Sequence, residues 1–149
     1  MKKLIYTAVF TGKGGPKDPK DPTLWAARST APSATITTTA GPKGLQNKVE
    51  KVSGHDIVFE SEAKFLTKTT LDEWGAITFG PGHTLRFSTV GEGFIGDAGV
   101  PRTTAGCIIW KVDGGTGQFE GATGYITSNF TGNPDGSMND YQFGVLFVK

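Results

Sequence analysis

Two glutamates on one predicted strand are the first residues whose spacing could do chemistry. The run DIVFESEAKFLT, residues 56–67, alternates as a β-strand does, so Glu60 and Glu62 fall on one face, about 7 Å apart along the strand. A carboxylate enclosed by apolar groups has a raised pKa and can act as a general acid or base. The simpler interpretation is that both residues, with Val58 and Lys64, form the solvated outer face.

Three tyrosines could donate a hydrogen bond from an apolar wall, as proton donors or as stabilisers of a developing oxyanion. Tyr6, Tyr125 and Tyr141 all lie in strand-like runs, so an ordinary structural role is the competing interpretation for each. Asn129 follows Tyr125 on the same strand face. This row of polar side chains either lines a cavity or faces water, and the sequence pattern fits both positions.

The other reactive side chains predict neither a metal centre nor a cofactor. His55 and His83 lie at predicted loop ends, and no spacing brings together the three or four ligands that a metal needs. Cys107 stands among apolar strand residues, which favours a small buried hydrophobe over a nucleophile. Arg86 lies on a predicted strand and could bind a ligand carboxylate bidentately, although an outer salt bridge is the simpler role.

The composition favours β structure and excludes some partners. The 149 residues include 22 glycines and 10 phenylalanines, while helix-forming residues are scarce. Fifteen basic and fourteen acidic residues nearly cancel, which gives no electrostatic basis for binding nucleic acid or an anionic membrane. No apolar run is long enough for a membrane-spanning helix. The single cysteine cannot form an intramolecular disulfide, and it favours a reducing, cytoplasmic compartment.

The elements that must position these residues are short strands. The pattern predicts eight or nine of them, joined by turns, and no amphipathic helix, so residues 1–149 form one all-β domain. An antiparallel sheet of that size stacks as a sandwich or closes into a barrel, and closure removes its exposed edges. Residues 12–34 are rich in Pro, Gly and Lys and predict a long loop that covers one mouth as a lid.

Glycine-rich stretches raise the question of a phosphate site. GEGFIG, residues 91–96, matches a dinucleotide-binding fingerprint, but DAGVPRTT follows it and excludes the helix that would hold the phosphates. GKGGPK, residues 12–17, lacks the ending of a P-loop. Glycine beside strands also permits the bulges and tight corners that a small barrel needs, and this interpretation is the better one.

The run VDGGTGQFEGATG, with GCIIWKV before it, resembles the signature of allene oxide cyclase-like barrel proteins, which include bacterial members and the more distant plant dirigent proteins. The preceding TFGPGHTLRFSTVGEG resembles the hairpin of that family, so the similarity covers roughly residues 55–130. The matching positions in the signature are Gly114, Gly115, Thr116, Gly117, Phe119, Gly121, Ala122 and Gly124.

This resemblance implies an eight-stranded antiparallel β-barrel of the calycin-like kind, with a hydrophobic lumen, that assembles as a homo-oligomer, a dimer or trimer. The plant cyclases would place an acid and an asparagine in the lumen part of the first strand. LIYTAVFTG, residues 4–12, contains neither. Jasmonate-pathway cyclisation is therefore not expected, and no catalytic residue is carried over from the family.

We expect a barrel whose lumen receives a small hydrophobic or aromatic molecule and that works without a cofactor as an isomerase, cyclase or lyase. The alternative is a non-catalytic binding protein or a dirigent-type stereochemical guide. A carboxylate or tyrosine hydroxyl beside open space in the lumen would favour the enzyme. The predicted catalytic residues are Glu60, Glu62 and Tyr125, and the predicted substrate-binding residues are Tyr6, Phe10, Trp110, Asn129 and Arg86.

Overall fold

Alternation of apolar with polar residues makes about 72% of the chain β-strand. The computed structural model describes all 149 residues and contains eleven strands, no α-helix and one short 3-10 turn at Gly117–Phe119. The all-β prediction is thus confirmed. The strands are β1 (Lys2–Asp18), β2 (Asp21–Ala31), β3 (Ala34–Gly41), β4 (Gly44–Lys51), β5 (Ile57–Phe65), β6 (Thr70–Thr78), β7 (Thr84–Thr89), β8 (Gly93–Asp97), β9 (Thr104–Gly115), β10 (Thr123–Gly132) and β11 (Ser137–Val148).

The main sheet closes on itself as an antiparallel barrel. Its strands are hydrogen-bonded in the order β10-β11-β1-β2-β5-β6-β7-β9, and the pairing of β9 with β10 completes the ring. Strands β7 and β8 share one place in that ring, because β7 pairs with one half of β6 and β9 while β8 pairs with the other half. The barrel therefore has eight strand positions, as predicted.

The prediction of a long loop over residues 12–34 was wrong. β1 continues to Asp18, and β2 returns beside it, with Gly14 opposite Ala27 and Gly15 opposite Ala26. Glycine does not end a strand when the hydrogen-bonded pairing continues along the strand before and after it. Pro16 is tolerated because the register of the β1–β2 pair shifts just beyond it. The segment therefore forms part of the barrel wall.

Strands β3 and β4 form a hairpin that pairs only with itself and that we call the arm, residues 34–51. It leaves the barrel between the end of β2 and the start of β5, and nearly all its residues are exposed. It takes no part in closing the ring.

The interior is divided by a cluster of aromatic rings. Phe59 lies at its centre, with ring centroids 5.9 Å from Phe10, 5.5 Å from Phe87 and 5.6 Å from Trp110. We call the barrel end that carries the β1–β2, β5–β6, β8–β9 and β10–β11 turns the upper end. Below the cluster, Phe119 is buried against Phe79 and closes the lower end.

The glycine-rich stretch after β9 is the lower rim of the barrel. The 3-10 turn that it contains carries Phe119 into the interior. At Gly115 the backbone of β7 approaches so closely that a Cβ atom would overlap the carbonyl oxygen of Thr84. Gly117 has a φ of 58°, a left-handed conformation that glycine adopts without strain. The barrel-rim interpretation of this motif is therefore confirmed.

We expect Gly115→Ala to destabilise the fold by about 2–3 kcal/mol, since the new methyl group must displace backbone rather than a mobile side chain. Gly15→Ala is the matched control, because a Cβ at that strand position meets nothing within 4 Å. Urea denaturation of both variants beside the wild type measures the difference. Equal midpoints for the two variants would contradict this account of the rim.

Candidate functional site

A cavity of about 480 Å³ occupies the upper half of the barrel, between the aromatic cluster and the upper turns. Most of its wall is apolar, with Trp25 and Phe65 packed edge to face on one side and Phe130 and Ile95 among its other residues. Lys68 and Arg102, from the β5–β6 and β8–β9 turns, contribute the positive charges that line it. The cavity is large enough for a small organic molecule.

Two buried carboxyl groups face this cavity. Glu73 on β6 is 8% exposed and Asp140 on β11 is 2% exposed, and both belong to the cavity wall. Glu73 takes an inward position because β6 alternates from Leu71 through Glu73 towards Ile77, with the intervening Asp72 and Trp74 pointing away. The barrel thus places acidic groups at positions where a strand ordinarily carries an apolar side chain.

Hydrogen bonds to Thr89, the last residue of β7, hold the backbone of Glu73 in place. Where β7 ends, Thr89 Oγ1 accepts a hydrogen bond from the backbone N–H of Glu73 at 2.8 Å and donates one to its carbonyl oxygen at 2.7 Å. The side chain receives a third bond, because Ser61 Oγ on β5 donates to Oε1 at 2.7 Å. Glu73 is therefore fixed at both its backbone and its carboxyl group.

Asp140 accepts two hydrogen bonds from neighbouring inward side chains. Ser128 Oγ donates to Oδ1 at 2.6 Å, and Gln142 Nε2 donates to Oδ2 at 2.7 Å. The hydroxyl of Tyr6 donates to Gln142 Oε1 at 2.9 Å, which turns the amide so that its NH₂ group points at Asp140. Burial and the carboxyl of Asp140 raise the pKa of Tyr6 well above its ordinary value, so Tyr6 stays protonated as a donor.

The two carboxyl groups differ in pKa. Burial, with a smaller contribution from the charge of the neighbouring Asp140, raises the pKa of Glu73 to about 8 against the opposing effect of the Ser61 hydroxyl. Burial raises the pKa of Asp140 to about 6, while the bonds from Gln142 and Ser128 favour its ionised form. Near neutral pH, Glu73 is therefore protonated and Asp140 is ionised, which gives the cavity one acid and one base.

One buried donor beside this pair is left without a partner. Trp110 Nε1–H, in the aromatic cluster, makes no hydrogen bond, although it lies close enough to Glu73 to favour the ionised carboxylate. Ser29 Oγ is also buried without a partner. Unpaired polar atoms of this kind are uncommon in protein interiors.

The two glutamates predicted as catalytic lie on the outer face. Glu60 pairs with Arg28 at 3.5 Å and its side chain is 65% exposed, and Glu62 pairs with Lys17. Their assignment to the lumen was wrong, and the alternative, the solvated face, is correct. The reason is the strand alternation itself, because the intervening Ser61 points inward.

Three further predicted residues also lie outside the lumen. Tyr125 is 62% exposed and Asn129 shares its outward face, since Ile126 and Ser128 take the inward positions of β10. Arg86 projects outward from β7 and donates to the carbonyl oxygen of Asp113. Placing these residues in the pocket was therefore an error of strand face.

The remaining three predicted residues point into the barrel. Phe10 and Trp110 are fully buried in the aromatic cluster that forms the base of the cavity, and Tyr6 reaches Asp140 through Gln142. None of the three is part of the cavity wall. They point inward, as predicted, but they lie below the cavity rather than in its wall.

Sequence reasoning missed Glu73 and Asp140, although a signal was present. In TLDEWGAIT, residues 70–78, the acid at position 73 shares a face with Leu71 and Ile77. In SMNDYQFGVLFV, residues 137–148, Asp140 shares a face with Gln142 and Leu146. A lone acid in the apolar register of a strand is the pattern that marks both.

Comparison with known proteins gives no relative, since no family model, no curated protein and no solved structure matches the chain. The chain contains no helix with the length and apolar character that crossing a membrane requires. No group of three or more His, Cys, Asp or Glu side chains is arranged to hold a metal ion. The cavity and its two carboxyl groups are therefore the basis on which a function can be proposed.

The raised pKa of Glu73 predicts that stability falls as the pH rises. Above its ordinary pKa of 4.5, an unfolded chain releases this proton, whereas the folded chain retains it up to about pH 8. Between pH 6.5 and pH 8 the wild type should lose about 2 kcal/mol of unfolding free energy that Glu73→Gln does not lose. Asp140 contributes little in this window, because its pKa of about 6 lies below it.

Urea denaturation at the two pH values measures this difference. Glu60→Gln, on the outer face, is the control and should follow the wild type. Parallel loss of stability in the wild type and in Glu73→Gln would show that Glu73 titrates as an ordinary carboxyl group.

Proposed function

We propose that this protein is a cofactor-independent enzyme, an isomerase, cyclase or lyase, that moves protons on a small hydrophobic or aromatic molecule held in the barrel. The observation that supports this proposal is the pair of carboxyl groups, one protonated and one ionised near neutral pH, facing an apolar cavity. A buried pair with separated pKa values is a common arrangement for acid–base catalysis.

In the proposed reaction Asp140 is the general base. Its carboxylate takes a proton from a carbon of the substrate, and the electron pair left behind moves into the adjacent unsaturated group. Glu73 is the general acid and donates its proton to the atom where negative charge develops. The serines at positions 61 and 128 hold the two carboxyl groups in place. In a second step Asp140 returns its proton to a different carbon of the substrate, and Glu73 takes its proton back from the atom that it had protonated. The product is an isomer, both groups return to their starting states, and no oxidant or reductant is needed.

The cavity walls would contribute by orienting the substrate and excluding water. Trp25, Phe65 and Phe130 offer flat apolar surfaces to an aromatic or conjugated ring. Exclusion of water keeps the proton transfers between fixed groups and strengthens the electrostatic effect of each. Turnover governed by this pair should be fastest between about pH 6 and pH 8, the two pKa values.

The resemblance of residues 55–130 to allene oxide cyclase-like barrels agrees with this class of function, and we propose that the chain is a bacterial-type member of that superfamily. The single cysteine, Cys107, is exposed and free rather than buried as predicted, because it takes an outward position of β9, and it supports the proposal of a reducing, cytoplasmic compartment. A non-catalytic carrier or dirigent-type guide is the second candidate, favoured by the predominantly apolar wall of the cavity.

Elimination from nitrobenzisoxazole tests the proposed base with a substrate analogue. Loss of the ring C–H proton to a carboxylate breaks the N–O bond and releases a coloured cyanonitrophenolate, and a desolvated carboxylate accelerates this reaction. We expect turnover to rise with an inflection near pH 6, the pKa of Asp140. Asp140→Asn should lower the rate about 100-fold, and Glu73→Gln should lower it less, because Glu73 is protonated at that pH.

Glu62→Gln is the matched control, since it removes a carboxylate that points away from the lumen. Binding of the probe is measured separately by quenching of tryptophan fluorescence. If the probe binds and the Asp140→Asn rate equals the wild-type rate, the base is not Asp140, and the result favours the non-catalytic carrier over the enzyme. If the probe does not bind at all, the cavity does not receive aromatic molecules and both candidate functions fail.

A further inference from the structure

The outer surface of the barrel carries a contiguous apolar area that the cavity does not explain. Six large side chains there are between 40% and 62% exposed. They come from four neighbouring strands, β9, β10, β11 and β1, which pair in the order given. We call this surface the outer band; it consists of Ile5, Ile109, Tyr125, Tyr141, Phe143 and Phe147.

Strand register places these residues side by side. Ile109 lies across from Thr127, which lies across from Phe143. One step along the strands, Tyr125 and Ile5 flank the same residue of β11, Val145. The outer band is therefore a single surface rather than a scatter of separate side chains.

The two sides of the barrel differ in charge. The outward positions of β10 and β11, from Thr123 to Thr131 and from Asn139 to Phe147, contain no charged residue. The outward face of β5 carries Glu60, Glu62 and Lys64, each in a salt bridge. Charged outer faces keep a sheet in water, whereas an uncharged aromatic one favours burial.

The size of the outer band fits a stable interface. A large side chain presents 150–250 Å² when fully exposed, so six half-exposed ones offer roughly 600 Å² of apolar surface. With the threonines and valines between them, the area approaches the ~800 Å² per partner of a standard interface. It is at the upper limit of what a protein that works alone exposes in one patch.

We infer that the outer band packs against the outer band of a second copy of this chain, related by a two-fold axis. Such a contact is self-complementary, so one apolar surface is enough to form it. Rows of large residues alternate here with threonines such as Thr7 and Thr127, which leaves grooves for the side chains of the facing sheet. Lys3 on β1 and the Lys111–Asp113 ion pair on β9 flank the band on its outer strands, and in a two-fold pair they lie at the rim, in water.

Sedimentation velocity at about 100 µM tests the interface with the wild type and the double variant Tyr125→Asp/Phe143→Asp. The wild type should sediment as a dimer and the variant as a monomer, because the new carboxylates would be buried against the partner. Tyr125→Phe should remain dimeric, and circular dichroism verifies that every variant is folded. The matched control is Leu45→Asp/Val49→Asp, which adds the same charges to exposed apolar positions of the arm.

A dimer in the wild type and in the arm variant, with a monomer in the band variant, supports the inference. A wild-type monomer at this concentration would overturn it. A dimer that the arm variant breaks and the band variant does not would assign the interface to the arm instead. A trimer would exclude the two-fold packing, even if the band variant dissociated it. None of these outcomes depends on the reaction proposed for the cavity.

Discussion

Closure of the barrel between β9 and β10 is the constraint on which the rest of the structure depends. Eight register pairs, from Tyr125 opposite Lys111 to Gly132 opposite Thr104, complete the ring and shield its interior from water. Without that ring, Glu73 and Asp140 would lie on one face of an open sheet and titrate as ordinary carboxyl groups. Closure therefore produces both the cavity and the burial that raises the two pKa values.

Burial raises the pKa of both carboxyl groups, and the hydrogen bonds to Asp140 together with its charge beside Glu73 separate the two values. Glu73 has one hydroxyl donor to its carboxyl group, whereas Asp140 has a hydroxyl and an amide donor, one on each oxygen. The second donor is itself oriented by Tyr6, from below the cavity. The same closed wall thus holds one carboxyl as an acid and the other as a base, which is the arrangement that the proposed function requires.

The fold could be predicted further than the site. Strand alternation was enough to indicate an all-β domain that is either a sandwich or a barrel, because alternation follows from local backbone geometry. The resemblance carried by the glycine run from Gly114 to Gly124 implied the eight-stranded barrel that the structure shows. Which face of a strand is the inner one depends on its partners, so the Glu60 and Glu62 face could not be assigned with certainty from their own strand. Their neighbour Ser61 points inward to Glu73, and only the β5–β6 register brings those two residues together.

Carboxyl chemical shifts of Glu73 and Asp140, followed by carbon-13 NMR across pH 4 to 9, test the central claim most directly. The account predicts that Asp140 titrates near pH 6 and Glu73 near pH 8, with both shifts moving towards ordinary values if the barrel is opened by denaturant. If both groups titrate close to pH 4 in the folded protein, the lumen is not a water-excluded chamber, and the proposed acid–base pair does not exist.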